Sequence, residues 1–246
     1  MARPTRLTQD MIDEYIAGGF WDEVGIADIL RRNAEQYPDK EALIDSEMRL
    51  TWSELNEMTE RVAVGLLTSG IRRDQAVVAQ LPSSAILLVV LQACHKAGIL
   101  CCFTPMAFRQ MEMRHLFKTL KAAAVVTPYK YRNFDYFKMV RKAAAEIPQM
   151  NLFIVTGNEI PPEGISFGRL TESPLEKNNF HKISPFHPFE VSFIALSSGS
   201  TGMPKCIEHT GSSCKVAGRS AALRAKLTKE DVFGIVAPLS GGPAIQ

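Results

Sequence analysis

AVVAQLPSSAILLVVLQACHKAGILCCFTP, residues 76 to 105, carries the choice of fold. Residues 76–81 are a short valine-rich apolar run that stops at Pro82-Ser83-Ser84. An apolar segment of helical length follows as far as Lys96, with Gly98 just past its end, and 99–104 (ILCCFT) is apolar again. Runs of those lengths, bounded by turn residues and a closing glycine, read as strand, helix, strand, with Ser83 or Ser84 capping the helix. Strands without a polar face are buried on both sides, so they pair in parallel beneath helices.

The alternation continues outward. Downstream, 109–120 is an amphipathic helix, 123–127 a strand, 134–146 a helix and 151–156 a strand. Upstream, Ile26, Ile29, Leu30 and Ala34 share one face of a helix that Pro38 helps to end. EALIDSEMRLTW, 41–52, gives two short strands around Ser46-Glu47. Thr51-Trp52-Ser53-Glu54 is a capping box, opening a helix with Leu55, Met58, Val62 and Leu66 on its inner face. The class expected is α/β, a doubly wound, mostly parallel sheet flanked by helices. Residues 1–24 read as an arm and 25–180 as a first lobe. Apolar periodicity is lost over 157–188, which places a crossing between lobes there. Residues 181–246 then begin a second lobe, with strands at 191–197, 206–210 and 232–238 and a helix over 212–227.

Composition excludes several classes. The 28 Lys and Arg against 26 Asp and Glu leave a net charge of +2 without a basic cluster, so no nucleic-acid footprint exists. No segment approaches the ~18 apolar residues of a membrane span, and the first residues lack a secretory apolar stretch. A cytoplasmic protein is expected. Cys94, Cys101, Cys102, Cys206 and Cys214 form no CxxC pair, and the histidines show no ligand spacing. The thiols therefore read as small apolar residues in a reducing compartment, and no metal site is expected. Asp13-Glu14, Asp22-Glu23 and Glu230-Asp231 read as solvated faces or helix starts.

One stretch carries chemistry. LSSGSTGMPK, 196–205, sets Ser197, Ser198, Ser200 and Thr201 around Gly199 and Gly202 and ends on Lys205. Small residues leave backbone amides uncovered, and consecutive amides in a tight turn form a nest for anions. Glycine permits close approach, hydroxyls donate, and lysine adds a point charge. The spacing differs from the GxxxxGK[ST] phosphate loop, because Met203-Pro204 separates Gly202 from Lys205. Two readings stand: a polyphosphate clamp, or a plain Ser/Gly turn of a hairpin.

Residues 194–205, IALSSGSTGMPK, resemble at every position the phosphate-loop signature of the adenylate-forming acid ligases. That superfamily holds acyl- and aryl-CoA synthetases, peptide-synthetase adenylation domains and luciferases. LTWSEL (50–55) and HKAGILCCFTP (95–105) resemble further family motifs in the same order. YIAGGFW (15–21), FDYFKMVRKAAAEIPQMNLFIVTG (134–157) and PLSGGP (238–243) are most similar to stand-alone aryl-acid ligases of the 2,3-dihydroxybenzoate–AMP type. The resemblance implies ATP and Mg²⁺, a small carboxylic acid, and CoA or a carrier protein's phosphopantetheine as acceptor. It implies that Ser197, Ser198, Gly199, Ser200, Thr201, Gly202 and Lys205 hold the β- and γ-phosphates, and that Ser240, Gly241 and Gly242 face the acid.

Three departures follow. The family's adenine and ribose motifs, its acidic Mg motif and the small domain with the catalytic lysine are not in these 246 residues. The expectation is a partial, inactive first portion, with apolar surface exposed where further chain would pack; the alternative is a binding module that keeps the lobe without the chemistry. Gly211 stands where the family has histidine after Thr210, and His209 lies two positions earlier, as a substitute or as a strand-end surface residue. Gly241-Gly242 replaces the His-Asn of the dihydroxybenzoate ligases. A pocket without those donors does not select a ring hydroxyl, so a less polar or bulkier acid is expected: aromatic, alicyclic or medium-chain.

Overall fold

A computed structural model describes residues 7–175, 183–197 and 202–240. Its N-terminal helix α1 (Gln9–Ala17) is capped by the Thr8 hydroxyl. Ile12 is buried from it, and Trp21 beyond it stacks on Phe189 with ring centroids 5.6 Å apart. Asp22 pairs with the Lys215 amine, which also donates to the Val24 carbonyl at 2.6 Å. The arm is thus fastened to the body at several points.

Helix α2 (Ile26–Gln36) leads to the hairpin β1 (Glu41–Ile44) and β2 (Arg49–Thr51). The capping box forms as expected: Thr51 accepts from the Glu54 N–H, and the Glu54 carboxylate accepts from the Thr51 N–H at 2.8 Å. It opens α3 (Trp52–Thr68). The strand–helix–strand of the opening quotation is β3 (Ala76–Ala79), α4 (Ala85–Ala97) and β4 (Leu100–Phe103), with Gly98 left-handed at φ +66°. Ser84 occupies the N-cap position of α4 without a side-chain cap bond. Asp45, from the turn between β1 and β2, accepts the Ala85 N–H at 2.7 Å instead.

Next come α5 (Gln110–Thr119), β5 (Ala124–Pro128), the small hairpin β6 (Lys130–Tyr131) and β7 (Phe134–Asp135), α6 (Tyr136–Ala144) and β8 (Leu152–Thr156). Inside the stretch expected to be a crossing between lobes lie β9 (Ile165–Ser166) and α7 (Phe167–Thr171), which buries Phe167 and Leu170. Two apolar residues in so short a helix are too few for periodicity to register. β10 (Val191–Leu196), β11 (Cys206–Thr210) and α8 (Gly211–Ala225) complete the elements among the described residues.

The seven-stranded sheet has the order β11-β10-β4-β3-β5-β8-β9. All neighbours are parallel except β10 and β11. β10, expected to open a second lobe, pairs with β4 in this same sheet. Its approach is fixed by Glu190, buried to 2 %, which accepts from Arg73 at 2.5 Å and from the His187 N–H at 2.7 Å. Alternation along the strands sorts two cores. Val77, Ala79, Cys101, Phe103, Ala124 and Val126 pack with α3, α4 and α7, whereas Val78, Cys102 and Val125 pack with α5 and α6.

The strand expected at 232–238 does not form. Val232, Phe233 and Val236 are exposed, the last completely. An apolar β pattern states a need for a neighbouring strand, and none among the described residues meets it. The expectation of exposed apolar surface is met here.

Candidate functional site

Residues 197–205 join β10 to β11 at the C-terminal end of β10, the end where parallel sheets present ligands. Ser197, Gly202 and Lys205 lie among the described residues; Ser198, Gly199, Ser200 and Thr201 lie outside them. The neck of the loop is closed twice. The Ser197 N–H donates to the Lys205 carbonyl at 3.0 Å, and the Ser197 hydroxyl accepts the Lys205 N–H at 3.1 Å. As an acceptor there, the hydroxyl still has its own proton to donate.

Gly202 and Lys205 are both exposed, and Gly202 has φ +151°, a conformation that side-chain-bearing residues rarely adopt. Pro204 is buried, and its carbonyl meets His115 Nε2 of α5 at 3.1 Å. The roots of the loop, Leu196 and Cys206, pack on the core that holds Met113 and Phe117 of the same helix. Burial raises the thiols of Cys102 and Cys206, so both act as apolar residues under the loop.

The neighbouring strand ends are tied together by residues that composition and motif did not single out. α4 leaves β3 on one face and α5 leaves β4 on the other, so the two loops diverge. Gln80, fully buried just after β3, crosses the divergence: its amide donates to the Pro105 and Phe108 carbonyls, both at 3.1 Å. Arg109 donates to the Met106 and Phe108 carbonyls and lies over the Phe134 ring, 4.2 Å from its centroid. The Tyr136 hydroxyl donates to the same Met106 carbonyl at 2.9 Å. For Gln80 a signal existed, a polar residue closing an apolar strand. His115 had none.

The 238–240 segment, expected from the sequence to face the acid, reaches this same end of the sheet. Leu239 is buried, and its N–H donates to the Ser83 hydroxyl just beyond β3. Ser240 follows, half-buried; Gly241 and Gly242 lie outside the described residues. One strand, β4, separates β3 from β10, so their ends stand about 10 Å apart at ordinary sheet spacing. The structure therefore brings the loop neck and the 238–240 segment to one edge.

His209 is half-buried in β11 and stacked on Phe193, centroids 4.8 Å apart; burial lowers its pKa. Thr210 caps α8 by accepting the Ser213 N–H. No helix among the described residues is long and apolar enough to cross a membrane. Among them, too, no three or more His, Cys, Asp or Glu side chains gather to hold a metal ion.

The model of the family described as AMP-binding enzyme matches residues 30–241. The chain belongs to that family. Its similarity to 2-hydroxy-7-methoxy-5-methyl-1-naphthoate–CoA ligase of Streptomyces carzinostaticus is 28% identity over 95% of this chain and 43% of that one. The 2,3-dihydroxybenzoate-AMP ligase of Bacillus subtilis is 28% identical over 82% of the chain and 36% of its own length. Among solved structures, apo MbtA of Mycobacterium smegmatis superposes with TM-score 0.86 at 26% identity, covering 98% of this chain and 45% of that one. The chain thus spans less than half the length of these relatives.

Proposed function

We propose that the chain supplies the phosphate-binding portion of an AMP-forming acid ligase. In that reaction a carboxylate oxygen attacks the α-phosphorus of ATP, the bond to the bridging oxygen breaks, and pyrophosphate leaves. A thiol of CoA or of a carrier protein's phosphopantetheine then attacks the acyl carbonyl and AMP leaves. The loop's task is to hold the departing β- and γ-phosphates, through Ser197, Ser198, Gly199, Ser200, Thr201, Gly202 and Lys205. Charge neutralisation and placement are what a protein contributes to such a transfer.

The observation that carries this reading is the doubly closed neck between Ser197 and Lys205 at the C-terminal end of β10. A closed neck holds the Lys205 backbone at a fixed place beside the loop. The acid is proposed to be aromatic, alicyclic or medium-chain, in line with Gly241 and Gly242 and with relatives named for naphthoate, salicylate and medium-chain fatty acids.

Calorimetric titration of the 246-residue chain with pyrophosphate tests the loop. Lys205→Ala is expected to weaken binding about tenfold, the effect of one charge-assisted contact. Equal affinity in the two proteins removes Lys205 from the site. Exchange of labelled pyrophosphate into ATP, driven by added acid, tests the chemistry; binding without exchange favours the module that lacks it.

A further inference from the structure

The peptide unit joining Pro204 to Lys205 is held at both of its polar atoms. Its carbonyl faces His115 Nε2 at 3.1 Å, and its N–H donates to the Ser197 hydroxyl at 3.1 Å. The next carbonyl, that of Lys205, accepts the Ser197 N–H at 3.0 Å. Three bonds thus bracket one α-carbon, the one that bears the Lys205 side chain. A carbonyl has no proton to give, so the His115 nitrogen facing it carries the hydrogen. The histidine donates there whether it is neutral or charged.

The two clamps differ in origin. Ser197 belongs to the loop itself, so it closes the neck without saying where the loop stands relative to the sheet. His115 belongs to α5, whose neighbouring residues Met113, Leu116 and Phe117 are buried without measurable exposure. The helix is therefore a fixed platform, and its histidine refers the loop to the body of the protein. Pro204 suits this role because its ring presets φ, one of the two backbone rotations that orient its carbonyl.

We propose that His115 is a positioning residue for Lys205: it locks the plane of the Pro204–Lys205 peptide, so that the lysine side chain is rooted at one place when a polyphosphate enters. The inference rests on the phosphate reading of the loop given above. It assigns a function to a side chain of α5 that touches no reacting atom.

The test is His115→Ala, with His115→Gln as the conservative variant, since glutamine keeps an N–H donor on a side chain of similar reach. Two readouts are taken on the full chain: amide hydrogen exchange at Lys205, and affinity for inorganic pyrophosphate. His115→Ala is expected to speed Lys205 exchange and to weaken pyrophosphate binding, each by about 3- to 10-fold, the range of one lost hydrogen bond. His115→Gln is expected to restore both to within about twofold of the parent. Melting temperatures identify a variant that has simply lost its fold, and the glutamine protein then carries the comparison. Unchanged exchange and affinity in His115→Ala overturn the proposal. Faster exchange with unchanged affinity also overturns it, reducing His115 to a prop for the loop. If the parent chain does not bind pyrophosphate at all, the phosphate reading fails and positioning fails with it, while exchange still reports whether the clamp exists.

Discussion

The Ser83 hydroxyl, beyond the end of β3, accepts the backbone N–H of Leu239 at 3.0 Å. One hydrogen bond from the sheet thus reaches the segment expected to face the acid. Leu239 is also 4 % exposed, so the contact is both polar and apolar. Ser83→Ala leaves a half-buried N–H without its acceptor, at a cost of about 1–2 kcal/mol. Faster amide exchange at Leu239, and earlier proteolytic cleavage near 240, are the expected results. Unchanged exchange would mean that apolar packing alone holds the segment.

Asp45 ties the first hairpin to the start of α4. Burial on its own raises this carboxyl, but N–H donors from Ala85, Glu47 and Met48 outweigh it and leave the pKa lowered. A lowered carboxylate stabilises the fold above the pKa of the unfolded chain, about 3.9, and that support is lost as pH falls through the folded value. Asp45→Ala removes an N-cap, so about 1–2 kcal/mol should be lost in urea unfolding at pH 7. The deficit should narrow below pH 4.

His95 works in the opposite sense. It is buried, and desolvation holds its pKa down to about 4. The unfolded chain takes up this proton below about pH 6.5, whereas the folded chain refuses it until about 4. Stability is therefore level above pH 6.5, falls between 6.5 and 4, and levels again below. Unfolding free energies measured across that interval should slope by roughly one proton, about 1.4 kcal/mol per pH unit at most. His95→Gln should flatten the slope; an identical slope in the variant would assign it to other groups.

Much of the fold was legible because it is written in local terms. The Thr51 box, the glycine after α4 and the apolar strands each state their structure within a few residues. Position 84 shows the limit: its serine sits where a cap belongs, yet the cap comes from Asp45, forty positions before Ala85. The pattern at 232–238 fails for the same reason, since Val236 can form a strand only with a partner the pattern does not specify. At the loop, the residue types pointed to anions. The contacts that fix the geometry, His115 on the loop and Ser83 on Leu239, cross the fold and leave no spacing to read.

The placement of β10 beside β4 also sets an order of events. Phe193 sits opposite Cys101, so this pairing closes about 90 residues of chain, whereas β3 and β4 meet within one helical crossover. On a ribosome, β3, β4, β5 and β8 are all synthesised before residue 191 exists. The sheet can condense without its β10–β11 edge, and that edge is then added to a surface already formed. Pulse-labelled exchange should protect Val77 and Val126 before Phe193. The β10–β11 pair is then late in this assembly to be ordered, and the first to be lost when the chain begins to unfold from that side.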